Sequence, residues 1–180
     1  AAAAPQSAGS TAPESVGDRP SSALAADGRY ISWREHIIDD TLADGSPLSG
    51  GDGLIMADLD GDGHADIVSV HEGDTEYDGV PAGHVRIAFG TGDPSRWVNV
   101  TLAEGAEAGA PEDVAVADLN GDGLPDLIVA SELAHLLYLQ NPGPEAARGG
   151  QWPRLIPAGT RGRGSFIRVF FGDLDGDGRP

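Results

Sequence analysis

From residue 30 onward the chain alternates short apolar runs with clusters of glycine, proline and aspartate. The runs are 33–38, 54–57, 67–70, 84–89, 97–102, 114–117, 127–130, 135–139, 152–156 and 166–171. Each is short, rich in β-branched or aromatic residues, and bounded by turn chemistry, which predicts a strand. Residues 104–110 are too broken by glycine for a helix, and 145–148 is too short. The pattern predicts an all-β chain. Residues 1–28, rich in Ala, Ser, Pro and Gly with almost no large apolar side chain, predict a disordered leader, which leaves 29–180 as the folded region.

The strands come with a repeat. Asp-Leu-(Asp/Asn)-Gly-Asp-Gly begins at Asp58, Asp118 and Asp173, at spacings of 60 and 55 residues. The three tryptophans, Trp33, Trp97 and Trp152, precede these loops by 25, 21 and 21 residues. Two unrelated residue types thus share one phase. The resulting unit of four strands is somewhat longer than a WD40 repeat and predicts a β-propeller blade. On this reading the tryptophans are blade-packing residues at outer strands rather than sugar-stacking platforms.

Counted from its first aspartate, each loop places oxygen-bearing side chains at positions one, three, five and nine. These are Asp58, Asp60, Asp62 and Asp66 in the first loop, and Asp118, Asn120, Asp122 and Asp126 in the second. The third offers Asp173, Asp175 and Asp177 and stops before position nine. Position six is glycine in every copy. Position seven varies (His64, Leu124, Arg179), as suits a residue that offers only its backbone carbonyl. Several hard oxygen donors around one point predict calcium, in two complete sites and one incomplete site, more readily than magnesium. An EF-hand also needs a position-twelve glutamate and flanking helices, but position twelve is Ser69 or Val129, inside apolar runs.

The motif Ala-Asp-Leu-(Asp/Asn)-Gly-Asp-Gly-x-x-Asp-(Ile/Leu)-(Ile/Val), with strands such as HLLYLQNPG, resembles the FG-GAP/VCBS repeat family. The resemblance covers about residues 30–180. It implies an integrin-α-type propeller in which the calcium loop joins the first two strands of a blade. Residues 53–57 and 166–171 would then be inner strands, and 33–38 an outer strand able to close a ring. Propellers have about four to eight blades, so about two and a half blades imply an N-terminal part of a longer parent, expected to be seven-bladed. The remaining blades beyond residue 180 are then expected partners.

Twenty-nine acidic residues against 11 arginines and no lysine give a net charge of −18, which argues against nucleic acid or an anionic membrane as a partner. Cysteine is absent, and no apolar stretch is long enough for a membrane span. A start at Ala-Ala-Ala-Ala-Pro fits a mature chain after signal-peptide removal, and a secreted, periplasmic or cell-surface location is expected. The expected function is a calcium-stabilised adhesion or binding module for a carbohydrate or protein ligand. The alternatives are the propeller domain of a carbohydrate-active enzyme, of polysaccharide lyase or sugar dehydratase type, and a purely structural subunit. No catalytic residue is assigned. His71 beside Glu72, Asp74 and Glu76 is a weaker second metal or acid–base candidate, and Arg161 with Arg163 forms a small basic turn.

Overall fold

The computed structural model of the chain describes residues 19–73 and 81–180. The described residues fall into two compact units, divided between residues 37 and 38. In the first, β1 (Arg19–Leu24) pairs antiparallel with β2 (Tyr30–Trp33). The strand β1, RPSSAL, lies inside the stretch expected to be a disordered leader. Its sequence lacks the alternating large apolar residues that announce a strand, and its ladder to β2 supplies the order instead.

The second unit carries two four-stranded antiparallel sheets. One runs β3 (Gly51–Ala57), β4 (Asp66–His71), β5 (His84–Phe89) and β6 (Val98–Glu104). The other runs β7 (Pro111–Ala117), β8 (Asp126–Ser131), β9 (Leu136–Leu139) and β10 (Arg154–Leu155). Sequence neighbours are hydrogen-bonded neighbours throughout, as short connections favour. A 3₁₀ turn (Gly105–Ala108) and one helical turn, α1 (Pro144–Ala147), sit in the connections.

The repeat is visible in the hydrogen-bond register. Ala57 opposes Asp66, Ile55 opposes Val68 and Gly51 opposes His71; 60 residues later, Ala117 opposes Asp126, Ala115 opposes Ile128 and Pro111 opposes Ser131. Both pairs also shift register near the start of the first strand. Because strand side chains alternate faces, β4 buries Asp66, Val68 and Val70 and turns the residues between them outward. A single core lies between the sheets. Val68, Val70, Val85, Ile87 and Phe89 from one meet Val114, Leu127, Val129, Leu137, Leu139 and Trp152 from the other.

Two expected strands did not form. Residues 34–40 carry no ladder, so 33–38 is not an outer strand; Trp33 ends β2 and is 68% exposed. Trp97 is half-buried and Trp152 fully buried, so the three tryptophans share a sequence phase but not a packing role. Residues 166–171 also lack a ladder. β3 and β7 each pair with the strand after their loop, and 166–171 has no such partner among the described residues.

Candidate metal-binding loops

Each Asp loop turns between the first two strands of a sheet or, in the third copy, follows 166–171. Glycines at positions four and six adopt positive φ in all three: 72° and 86° at Gly61 and Gly63, 79° and 86° at Gly121 and Gly123, and 79° and 86° at Gly176 and Gly178. Side chains with a Cβ resist that region, which explains the fixed glycines.

The position-one carboxylate closes each loop onto its own backbone. Asp58 accepts from the amides of Gly61 (2.8 Å) and Gly63 (3.0 Å), and Asp118 accepts from Gly121 (2.7 Å) and Gly123 (2.9 Å). Asp173 accepts from Gly176 (2.6 Å) and Gly178 (2.8 Å), and these amides hold its carboxyl below the ordinary range. Positions three and five use one oxygen each in Asx turns. Asp60, Asn120 and Asp175 accept from the amide two residues on, and Asp62, Asp122 and Asp177 do the same. Each aspartate among them keeps its second carboxylate oxygen outside its turn.

Position nine begins the next strand and is fully buried. Asp66 accepts from the Leu59 amide (2.8 Å) with Oδ2 and from the Gly90 amide (2.9 Å) with Oδ1. Asp126 accepts from Leu119 (3.2 Å), Asn141 (2.8 Å) and the Tyr138 hydroxyl (2.9 Å). Burial, reinforced by hydrogen bonding to Asp126, pushes the Tyr138 hydroxyl up to about 12. Burial also raises the Asp66 pKa against the pull of its two amides, and the charges of Asp60 and Asp62 push the same way. Convergent carboxylates therefore oppose one another's ionisation, and a bound cation would relieve that opposition.

Carboxylate oxygens of Asp58, Asp60 and Asp66 lie within 4.8 Å of one another, as do those of Asp173, Asp175 and Asp177. Oxygens so close, with no nitrogen or sulfur among them, could hold a hard metal ion. Asp62 stands outside the first group and pairs with Arg148 (2.7 Å), whose guanidinium also bonds Asp60. In the second loop, where position three is an amide, Asn120 Nδ2 donates to Asp122 Oδ2 (2.9 Å). Asp118, Asp122 and Asp126 form no carboxylate triad among the described residues. At position seven the His64 ring lies beside Gly92, the Leu124 side chain lies on the side of Gly143, and Arg179 is exposed.

Sequence reasoning missed Arg148, since 88 residues separate it from Asp60. It also missed a third carboxylate group, Asp52, Glu72 and Glu112, at the opposite ends of β3, β4 and β7 from the loops. Of the three suggested companions of His71, Glu72 belongs to this carboxylate group, and Asp74 and Glu76 lie outside the described residues. His71 itself bonds Ser69 (2.9 Å), and burial lowers its pKa. Asn99 donates its side-chain amide to Ile38 O (2.8 Å) and Asp39 (3.1 Å).

Fold and site together define an all-β protein of repeated four-stranded sheets whose first strand-to-strand turn is an Asp-rich loop. Residues 58–129, from the first loop through most of β8, match the FG-GAP-like repeat family, and the fold is consistent with a repeat of that type. No curated protein and no solved structure matches the chain significantly. No helix among the described residues is long and apolar enough to cross a membrane.

Proposed function

We propose that the chain is part of an exported, calcium-stabilised β-propeller that acts as a binding module for a carbohydrate or protein ligand. The observation that carries this reading is the Asp-rich loop made three times over, with two copies at the turn joining the first two strands of a sheet and carboxylates converging in the first and third copies. A calcium ion there would be held by Asp58, Asp60 and Asp66 in the first loop, and by Asp173, Asp175 and Asp177 in the third. Calcium suits such loops because it accepts six to eight oxygens in flexible geometry, and extracellular modules hold it with a Kd of about 10⁻⁴–10⁻³ M. Its work is structural: it cancels repulsion at the turn that sets the register of the two strands.

A shallow groove of about 210 Å³ beside the first loop supports a ligand-binding role. It is lined by His64, Thr91, Asp93, Pro94 and the half-buried Trp97. Pockets that enclose drug-sized ligands start near 300 Å³, so this groove suits one ring of a larger, surface-bound ligand. The net charge of −18 favours an uncharged glycan or a basic protein over an acidic polymer.

Calorimetric titration of calcium into chelated protein tests the metal reading. Saturable heat and a higher melting temperature in calcium are expected. A titration with neither heat nor a thermal shift would overturn it.

A further inference from the structure

The first and third loops differ in what holds their position-three and position-five carboxylates. Arg148, just past α1 in the second sheet's β9–β10 connection, lays its guanidinium across the first loop. Its Nε donates to Asp60 Oδ2 and its Nη2 to Asp62 Oδ2 (2.7 Å). Asx-turn amides already occupy Oδ1 of both residues, so the guanidinium holds the two oxygens left to face a cation. Asp175 and Asp177 have the same turns and no ion pair among the described residues, and there position five joins the convergent triad. In the first loop position five is missing from the triad and bound to Arg148 instead.

We propose that Arg148 is the resident counter-cation of the first loop, and that a divalent cation entering this loop must displace its guanidinium from Asp60 and Asp62. The proposal rests on the calcium reading above. A guanidinium is weakly hydrated and matches paired carboxylate oxygens with its fork, so it can neutralise the loop without a metal. It cannot share the same oxygens with a dication at ligand distance, because the two positive charges repel. Displaced, it has a second resting place: its Cζ already lies 5.5 Å from the centre of the Phe89 ring, a cation–π distance. The first loop is then a site where metal occupancy trades against a contact between repeats, and the third loop is not.

The test is a calcium chloride titration of chelated protein and of the variant R148M, which keeps an apolar stem and drops the charge. It is followed by the amide resonances of Gly63, Gly123 and Gly178, one for each loop. The expected result is a midpoint at Gly63 lowered on the order of tenfold in R148M, with Gly178 unmoved. An unchanged or raised midpoint at Gly63 overturns the proposal, because Arg148 would then be a bystander or would help position the ligands. If R148M does not fold, R148K keeps the charge without the fork and should shift Gly63 the same way by a smaller factor; no shift, or the opposite one, overturns it.

Melting in chelator supplies a readout independent of affinity. R148M should melt below the parent protein without metal and level with it in saturating calcium. A deficit that persists in calcium would make Arg148 a fixed structural contact and overturn the proposal. Failure of all three glycines to respond in both proteins would defeat the calcium reading and this inference together. Response at Gly178 with no difference at Gly63 would defeat this inference alone.

Discussion

Arg86 shows how much a single side chain can carry in this fold. It projects from β5 and meets Asp39 through Nε–Oδ2 (2.8 Å) and Nη2–Oδ1 (2.7 Å), with the two side chains only 5% and 7% exposed. Thr101 accepts a further bond from its Nη1, and Asn99 donates to Asp39 from the same strand. The network pins residues 38–41 to β5 and β6. Replacing one partner leaves the other charged, buried and alone, so R86M should lose about 3–5 kcal/mol in urea denaturation. A loss below about 1 kcal/mol would mean that water reaches Asp39 and screens it. Contacts of this kind are illegible in sequence, since Arg86 and Asp39 stand 47 residues apart. The Asp-loop residues were legible for the opposite reason: the backbone amides that close each loop lie two to seven residues away, within the motif itself.

At the scale of elements, strands were readable wherever an apolar run met turn chemistry at both ends. β5 falls where the pattern placed it, and β4 and β8 extend the expected runs by a residue at each end. The exceptions are instructive. β1 is a strand by pairing rather than by composition, and 166–171 has the composition without the pairing. The contact between sheets was not legible either, because it depends on a glycine with no turn to explain it. A Cβ added to Gly53 in β3 would stand 2.7 Å from Asp113 Cα and 3.1 Å from Glu112 O in β7. Gly53 and Asp113 occupy the same position of successive repeats, so the close approach exists only because one copy lacks a side chain. Backbone atoms cannot rotate aside, so G53A should force β3 and β7 apart and cost about 1–3 kcal/mol. G51A is the control: its Cβ would find only the His71 ring, at 3.5 Å, and should be tolerated. Equal midpoints for the two variants in denaturant would show that the sheets are not in register-limiting contact at Gly53.

Across the whole repeat array the same leucine meets three environments. Position two of the loop is Leu59, 1% exposed and part of the core; Leu119, half-buried; and Leu174, 99% exposed. The difference comes from what covers each loop. The second repeat grips the first loop: Asn141 Nδ2 donates to Leu59 O (2.8 Å) while Asn141 N serves Asp126 of its own repeat. The corresponding donor to Asp66 is Gly90, which has no side chain with which to grip anything. Beside Leu119 lie Gly178, Arg179 and Pro180 of the third loop. One motif therefore has three energetic weights, set by the neighbouring repeat and not by the motif. Burying a leucine and leaving a cavity on its removal predicts about 2–5 kcal/mol for L59A, and an exposed site predicts within about 0.5 kcal/mol for L174A, with L119A between them. Urea denaturation of the three variants in calcium checks the order. Similar losses at all three positions would refute it, because they would mean that each leucine stabilises its own loop irrespective of the repeat that follows. The phase of the repeat is written in the sequence, but the weight of each copy depends on packing against its successor.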